Sequence, residues 1–426
     1  MVNKGDVFAW IFFLAIWILP ILARELRSGW RVMLTYWFVI FLHQAMALTN
    51  NFWFTIIGAE GDAKEFHLKG VELEQWENFT FGIDGYFYNN LLGIVYWLFG
   101  PSQLLGQELS ILAFAVSCII LIKILHIMEL SRYEVSVLLA YGALPSMVLL
   151  GSITLRESYQ VLFFMLAIYW GIKMQMKGGV NSYLLFMVMS ALVMGLFHNG
   201  LLIYSTFLIV LVMVWSLRPV TYFWNIKKLR LMAVFATLVL MVGVINLARV
   251  KLVGGLPGLV ALANGDLLEA AATFRDFSRK SMTRATYGIS LDLSSPFMTI
   301  YTSCKVYVHY LFAPFPWQVK NALDAYAAME SILRLTLIYF SVKHWRKAYG
   351  VQRRLLGLML ILFFSMTFMW AMGTTNYGTA IRHHMLSWWI LIIAGTPLLM
   401  EVLSRVGFCL IVRKNSDSLE PNKKIL

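Results

Sequence analysis

One short stretch gathers acidic and basic side chains beside apolar sequence: Gly61-Asp62-Ala63-Lys64-Glu65-Phe66-His67. It follows an apolar run and leads into an amphipathic stretch with Leu68, Val71, Leu73 and Trp76. A carboxylate held at that depth suits a general base acting on a hydroxyl, and Asp62 is the candidate. A solvated acidic loop is the plainer reading of the same residues. Thr154-Leu155-Arg156-Glu157 stands directly before another apolar run. Arg156 and Glu157 there are either an interfacial anchor pair or a phosphate-binding arm assisted by a helix N-terminus. His198-Asn199-Gly200 sits between two apolar runs, where His198 serves the turn or a ligand. A longer polar segment carries Phe274-Arg275-Asp276-Phe277-Ser278-Arg279-Lys280, then Arg284 and Tyr287. Cations interleaved with aromatics suit a lipid phosphate or anionic headgroup. Tyr310-Leu311-Phe312-Ala313-Pro314-Phe315-Pro316-Trp317, with Lys320 beyond, suits an interfacial belt. The last cluster is Asn376-Tyr377-Gly378-Thr379-Ala380-Ile381-Arg382-His383-His384. Adjacent histidines on a helix point apart, so His383 and His384 make a poor metal pair.

These residues are positioned by apolar sequence. Of the 426 residues, 60% are hydrophobic and 13% charged, against about 25% charged in soluble proteins. Runs long enough to cross a hydrocarbon core about 30 Å thick recur at 7–23, 32–49, 108–128, 134–152, 158–174, 182–198, 200–217, 231–249, 327–342, 355–373 and 385–403. The fold class expected is an all-α polytopic membrane protein of about eleven spans, forming one transmembrane domain over 1–426. The shorter or interrupted apolar stretches 87–99 and 297–316 read as re-entrant or interfacial, because lipid cannot satisfy irregular backbone. The first apolar run lacks a convincing cleavage site and is followed by Arg24, Arg27 and Arg31, so it reads as a retained span. Cys118, Cys304 and Cys409 follow no ligand or disulfide spacing and read as packing residues.

The net charge of +13 comes from Lys and Arg in short loops, as the positive-inside bias requires, and no compact basic domain or zinc spacing points to nucleic acid. Arg24–Arg31, Lys123–Arg132, Lys173 with Lys177, Arg218–Arg230, Lys343–Arg354 and the tail from Arg405 all fall on one side under eleven spans. That side is the cytoplasm, with the N-terminus outside and the C-terminus inside. The other side receives an extracytoplasmic loop over 50–107 with interfacial helices and a long loop over 250–326 with a re-entrant segment. Every candidate chemical residue falls on that outer side. Cations there neutralise a phosphate or diphosphate, which Arg binds in bidentate fashion.

The outer Asp62, Leu155-Arg156-Glu157, Leu311-Phe312-Ala313-Pro314-Phe315-Pro316-Trp317 and the late Gly378-Thr379-Ala380-Ile381-Arg382-His383 resemble bacterial membrane glycosyltransferases of the GT-C type. They also resemble Wzy-type polysaccharide polymerases. The likeness follows most of the chain in order and spacing, through short motifs. It implies a GT-C-like fold, a sugar carried on polyprenyl phosphate or diphosphate, a glycan acceptor, and work on the outer face of a bacterial cytoplasmic membrane. Asp62 would be the catalytic carboxylate, with Arg156, Arg284 and Arg382 as phosphate ligands. An extra span precedes the one leading into the catalytic loop. The loop also lacks a paired Asp-x-Asp, so no cofactor is demanded, although a divalent cation is compatible.

The function expected is therefore transfer of a sugar or oligosaccharide from a lipid carrier in cell-surface polysaccharide assembly, with membrane lipid and co-polymerase proteins as further partners. Block polymerisation, a lipid-linked glycan flippase and a noncatalytic scaffold are the rivals. A flippase would carry charges within its spans, whereas charges here fall mainly at span ends. The topology predicts that an impermeant thiol reagent applied to intact cells labels a cysteine placed near Ser281 and spares one near Gln352. The opposite pattern would overturn it.

Overall fold

A computed structural model describes residues 3–75, 82, 85–177, 182–215, 265–280 and 286–405. The first helices are α1 (Lys4–Leu22), α2 (Trp30–Phe52), α3 (Asp62–Glu72), α4 (Gly85–Phe99) and α5 (Gln103–Ile127). Then come α6 (Glu134–Gly142), α7 (Pro145–Gly151), α8 (Glu157–Lys177), α9 (Ser182–Leu196) and α10 (Asn199–Val214). The remainder are α11 (Leu267–Lys280), α12 (Pro296–Phe312), α13 (Ala322–Lys347), α14 (Gly350–Gly373) and α15 (Tyr377–Arg405). Among the described residues there is no strand, only an isolated antiparallel bridge between Thr286 and Asn376. Side-chain caps start several helices: Asn3 on α1, Ser102 on α5, His198 on α10 and Asn321 on α13.

The protein is an all-α membrane protein, and its helices divide by length. Among the described residues six are long and apolar enough to cross a membrane, α1, α2, α5, α13, α14 and α15. A seventh crossing results if α6 and α7 count as one broken span, bent by 59°. This falls short of eleven for identifiable reasons. α9 and α10 have 15 and 16 residues, only about 23 Å of helix each. α8 has 21 residues but carries Glu157, Gln160, Lys173, Gln175 and Lys177. The run at 231–249 lies outside the described residues.

Contacts between distant segments define two ends. At the basic end, Lys123 pairs with Glu25 at 3.5 Å and Arg132 with Glu401 at 2.6 Å, while Gln352 reaches the Met128 carbonyl. At the other end, Asn3 bonds the Pro101 carbonyl, Ser102 bonds Asp6, and Tyr287 N–H meets the Thr375 carbonyl. α15 runs through the interior, with Trp388 and Trp389 fully buried. Small residues bring neighbours close, as they must where lipid supplies no hydrophobic drive between helices. Gly142 lies against Val39, and a Cβ at Gly395 would approach the Leu337 carbonyl oxygen at 2.8 Å.

Two breaks occur inside the bundle, and buried side chains serve the backbone groups they free. Between α6 and α7, His43 Nε2 donates to the Gly142 carbonyl at 3.1 Å, and Ser146 N–H donates to Glu330 Oε1 at 2.9 Å. Glu330 therefore sits at the positive end of α7. α12 ends inside the bundle: His384 Nε2 donates to the Tyr310 carbonyl at 3.0 Å, and Arg334 Nη1 donates to the Leu311 carbonyl. The chain then returns to the rim opposite the basic end, where Asp324 meets the Tyr377 hydroxyl at 3.1 Å. Arg334 also lies 4.9 Å from the Trp388 ring centroid.

Beyond the charges expected mainly at span ends, three lie further inside. Glu108, Glu330 and Arg334 are all buried within long helices. Glu330 and Arg334 answer to broken backbone, and Glu108 accepts a 3.0 Å bond from Gln44, which Trp17 also contacts. Arg334→Leu removes a helix cap and leaves Glu330 buried without its neighbouring cation. It should cost about 3–5 kcal/mol, read by denaturant unfolding in detergent. A cost below about 1 kcal/mol would show that the α12 terminus does not depend on it.

Candidate functional site

The chemistry expected on the outer side converges on Arg382. Asp62 opens α3 and Glu157 opens α8, so each carboxylate sits at the positive end of its helix. Gly61, at φ 74°, makes the turn that starts α3, a conformation glycine adopts without strain. α3 is pressed onto α4 by Ala63, Phe66 and Gly70, and a Cβ at Gly70 would meet Leu92 at 2.9 Å and Tyr96 at 3.0 Å. A bulkier residue at Gly70 would lift α3, and Asp62 with it.

Arg382 lies between the two acids. Its Nη1 donates to Asp62 Oδ2 at 2.5 Å, and Nη2 and Nε donate to Glu157 Oε1 at 2.6 and 3.0 Å. These contacts join positions 320 and 225 residues apart in sequence. The two acids are unequal: the Glu157 side chain is 4% exposed and that of Asp62 is 55% exposed. Glu157 is the fixed partner and Asp62 the accessible one. Asp62 and Arg382, expected as a catalytic carboxylate and a phosphate ligand, are in direct contact.

Beside this triad, His383 stacks on Trp370 with centroids 3.7 Å apart, and its Nδ1 lies 2.8 Å from the Thr374 hydroxyl. His198 packs edge-on against Trp370 at 4.6 Å, while its Nδ1 accepts from Gly200 N–H at 3.0 Å. His198 thus shapes the start of α10 and packs beside Trp370 and His383. The Arg156 guanidinium stands 5.6 Å from the Phe66 centroid, and Phe66 meets Tyr88 edge-on at 5.1 Å. His67 Nδ1 is 2.9 Å from the Tyr96 hydroxyl, and burial draws the His67 pKa below its ordinary value. The second oxygen of Glu157, the Thr154 and Ser158 hydroxyls and the Gln107 amide are buried polar groups with no hydrogen-bond partner among the described residues. Such groups are costly to bury unless something satisfies them.

Of the cations expected to meet a lipid phosphate from the long segment, the described side chain is that of Arg275. Arg275 is only 1% exposed and donates to the carbonyls of Ile289, Ala371, Met372 and Thr374. It closes the C-terminal end of α14, whose last carbonyls have no partner within the helix. Burial pushes its pKa down to about 10. Arg275 is therefore a tether for α11 rather than a solvent-facing phosphate ligand. Tyr287 pairs its backbone with Thr375, and its buried hydroxyl has its pKa raised by desolvation. Lys320 is exposed, with its backbone bonded to Asp324. The side chains of Arg279 and Lys280, and all of Arg284, lie outside the described residues. His384 turns away from His383 to the Tyr310 carbonyl. Among the described residues no group of three or more His, Cys, Asp or Glu side chains is placed to hold a metal ion.

No family model matches the chain, and neither the characterised proteins nor the solved structures offer a match. Function therefore rests on the geometry.

Trp370, Thr374, Phe66, Tyr88 and Tyr96 also belong to this site. A Trp or Tyr within an apolar run reads as core, and no spacing in the sequence separates these from the rest. Glu157→Gln should destabilise the protein by about 3–5 kcal/mol, since it strips a half-buried guanidinium of its fixed anion. Asp62→Asn should cost no more than about 1 kcal/mol, because that pair is solvated. Equal costs, read by thermal unfolding in detergent, would contradict the assigned asymmetry.

Proposed function

We propose that the protein is an integral membrane glycosyltransferase. It moves a sugar or oligosaccharide from a polyprenyl phosphate or diphosphate carrier to a glycan acceptor, in assembly of a cell-surface polysaccharide. The observation that carries this reading is the Asp62–Arg382–Glu157 triad, with Arg156 beside it at one rim of the bundle. In this reading the triad lies on the extracytoplasmic face of a bacterial cytoplasmic membrane.

The triad supports an exchange of partners. A carrier phosphate brings the same kind of oxygen ligand as a carboxylate, and Arg binds both well. The phosphate replaces Asp62 on Nη1, while buried Glu157 keeps the guanidinium aimed. Asp62, released, accepts the proton of the acceptor hydroxyl. The acceptor oxygen then bonds the anomeric carbon as the bond from that carbon to the phosphate oxygen breaks. The leaving electron pair stays on the phosphate, where Arg382 and Arg156 offset the charge. Trp370 and the partnerless polar groups near Glu157 suit a sugar, which presents an apolar face and hydroxyl edges. Repeat-unit polymerisation uses the same chemistry on a longer donor.

The buried Glu108 favours one rival, movement of a lipid-linked glycan, since an ionisable group inside a span commonly marks a translocation path. Substitution separates the two. Asp62→Asn should lower turnover by about 10²–10⁴-fold, the usual contribution of a positioned base, while carrier binding persists. Arg382→Ala should impair both. Cells with either variant should accumulate lipid-linked donor, and its glycan distinguishes single-sugar transfer from polymerisation. Near-normal output from Asp62→Asn overturns the catalytic role of Asp62, whereas loss of output only from Glu108→Gln favours transport.

A further inference from the structure

A second site lies at the opposite, basic end. Between α1 and α2 the chain makes a single 3-10 turn, Arg24–Arg27, anchored by fully buried Leu26. Arg24, Glu25, Arg27, Ser28 and His126 line a cavity of about 790 Å³, within the range of small-ligand pockets. The acids around it are already engaged. Glu25 pairs with Lys123 at 3.5 Å, and Glu134 takes Ser28 on one oxygen at 2.5 Å and His126 on the other at 2.6 Å. Arg24 and Arg27 are both exposed, and among the described residues neither has a carboxylate or carbonyl partner. Two guanidinium groups with their donors unspent thus border one cavity, while nearby cations and anions cancel in pairs.

The flanks of the turn show what surrounds it. Leu22 is 74% exposed and Trp30 65% exposed, one at the end of α1 and one at the start of α2. Leu22 continues the outward apolar face of Leu14, Ile18 and Ile21. An interfacial Trp and a lipid-facing helix end place the arginines at headgroup depth. We propose that Arg24 and Arg27 hold the phosphate of an anionic membrane lipid whose acyl chains lie along α1. The chemistry read is a singly or doubly charged phosphate ester bonded by guanidinium forks. Lipid rather than free phosphate is the source, because the turn that lines the cavity is flanked in sequence by the exposed apolar residues Leu22 and Trp30.

The test uses the full chain in dodecyl maltoside, titrated with dioctanoyl phosphatidylglycerol, dioctanoyl phosphatidylcholine or inorganic phosphate, with bound ligand counted by native mass spectrometry. Wild type should bind the glycerol lipid saturably and prefer it to the choline lipid. Arg24→Gln with Arg27→Gln should weaken that binding on the order of tenfold or more, about fivefold per lost cation. Arg24→Lys with Arg27→Lys should retain an intermediate affinity, which also keeps the test valid if the Gln pair misfolds. Arg346→Gln, removing an exposed cation elsewhere at this end, should change nothing. Equal binding of the choline lipid, an unaltered Gln pair, or an equal loss from Arg346→Gln would overturn the site. Displacement of the lipid by inorganic phosphate at matching concentration would overturn its lipid source.

Discussion

Backbone that leaves a helix inside an apolar bundle must find partners there, because no water is present to supply them. This constraint organises the interior. The α6–α7 break and the buried end of α12 expose carbonyls and an amide that neither helix can satisfy. His43, Glu330, Arg334 and His384 satisfy them. Arg275 does the same for the end of α14. Side chains that look reactive in the sequence are thereby committed to architecture. What remains for ligands is the smaller set at the rims.

At the rim opposite the basic end, one cation is shared by two anions that differ in access. An exposed pair alone contributes little to stability, and a fully buried pair would be hard to open. Arg382 combines the two, held by Glu157 from within and met by Asp62 from the solvent side. The asymmetry arises because α8 packs among α5, α9 and α15 while α3 packs chiefly on α4. Phe66, Gly70 and Tyr96 set how closely α3 sits, and hence the reach of Asp62.

The class of the fold was legible from the apolar runs, and the boundaries of α1, α2, α5 and α14 fall within a few residues of them. Span number was less legible, since a hydropathy run does not distinguish a full crossing from a 15-residue helix or a broken one. The charge pattern grouped Asp62, Glu157 and Arg382 on one side without revealing that they touch, because side of the membrane follows from loops and contact follows from packing. Arg275 misled for a physical reason: a cation flanked by aromatics has the same sequence appearance whether it faces a headgroup or a helix end. The aromatic wall around His383 left no trace, since Trp370 sits in an apolar stretch like any core residue.

Glu330 and Arg334 are one helical turn apart on α13, yet each holds a different broken element. Glu330 grips the start of α7 and Arg334 the end of α12. α13 therefore works as a yoke. Sliding it along its axis pulls on both elements in the same direction, and rotating it swings them together. α12 also meets α15 through His384, next to His383 beside the triad. A chain of side-chain to backbone bonds thus links α7 to the neighbourhood of Arg382 through two helices.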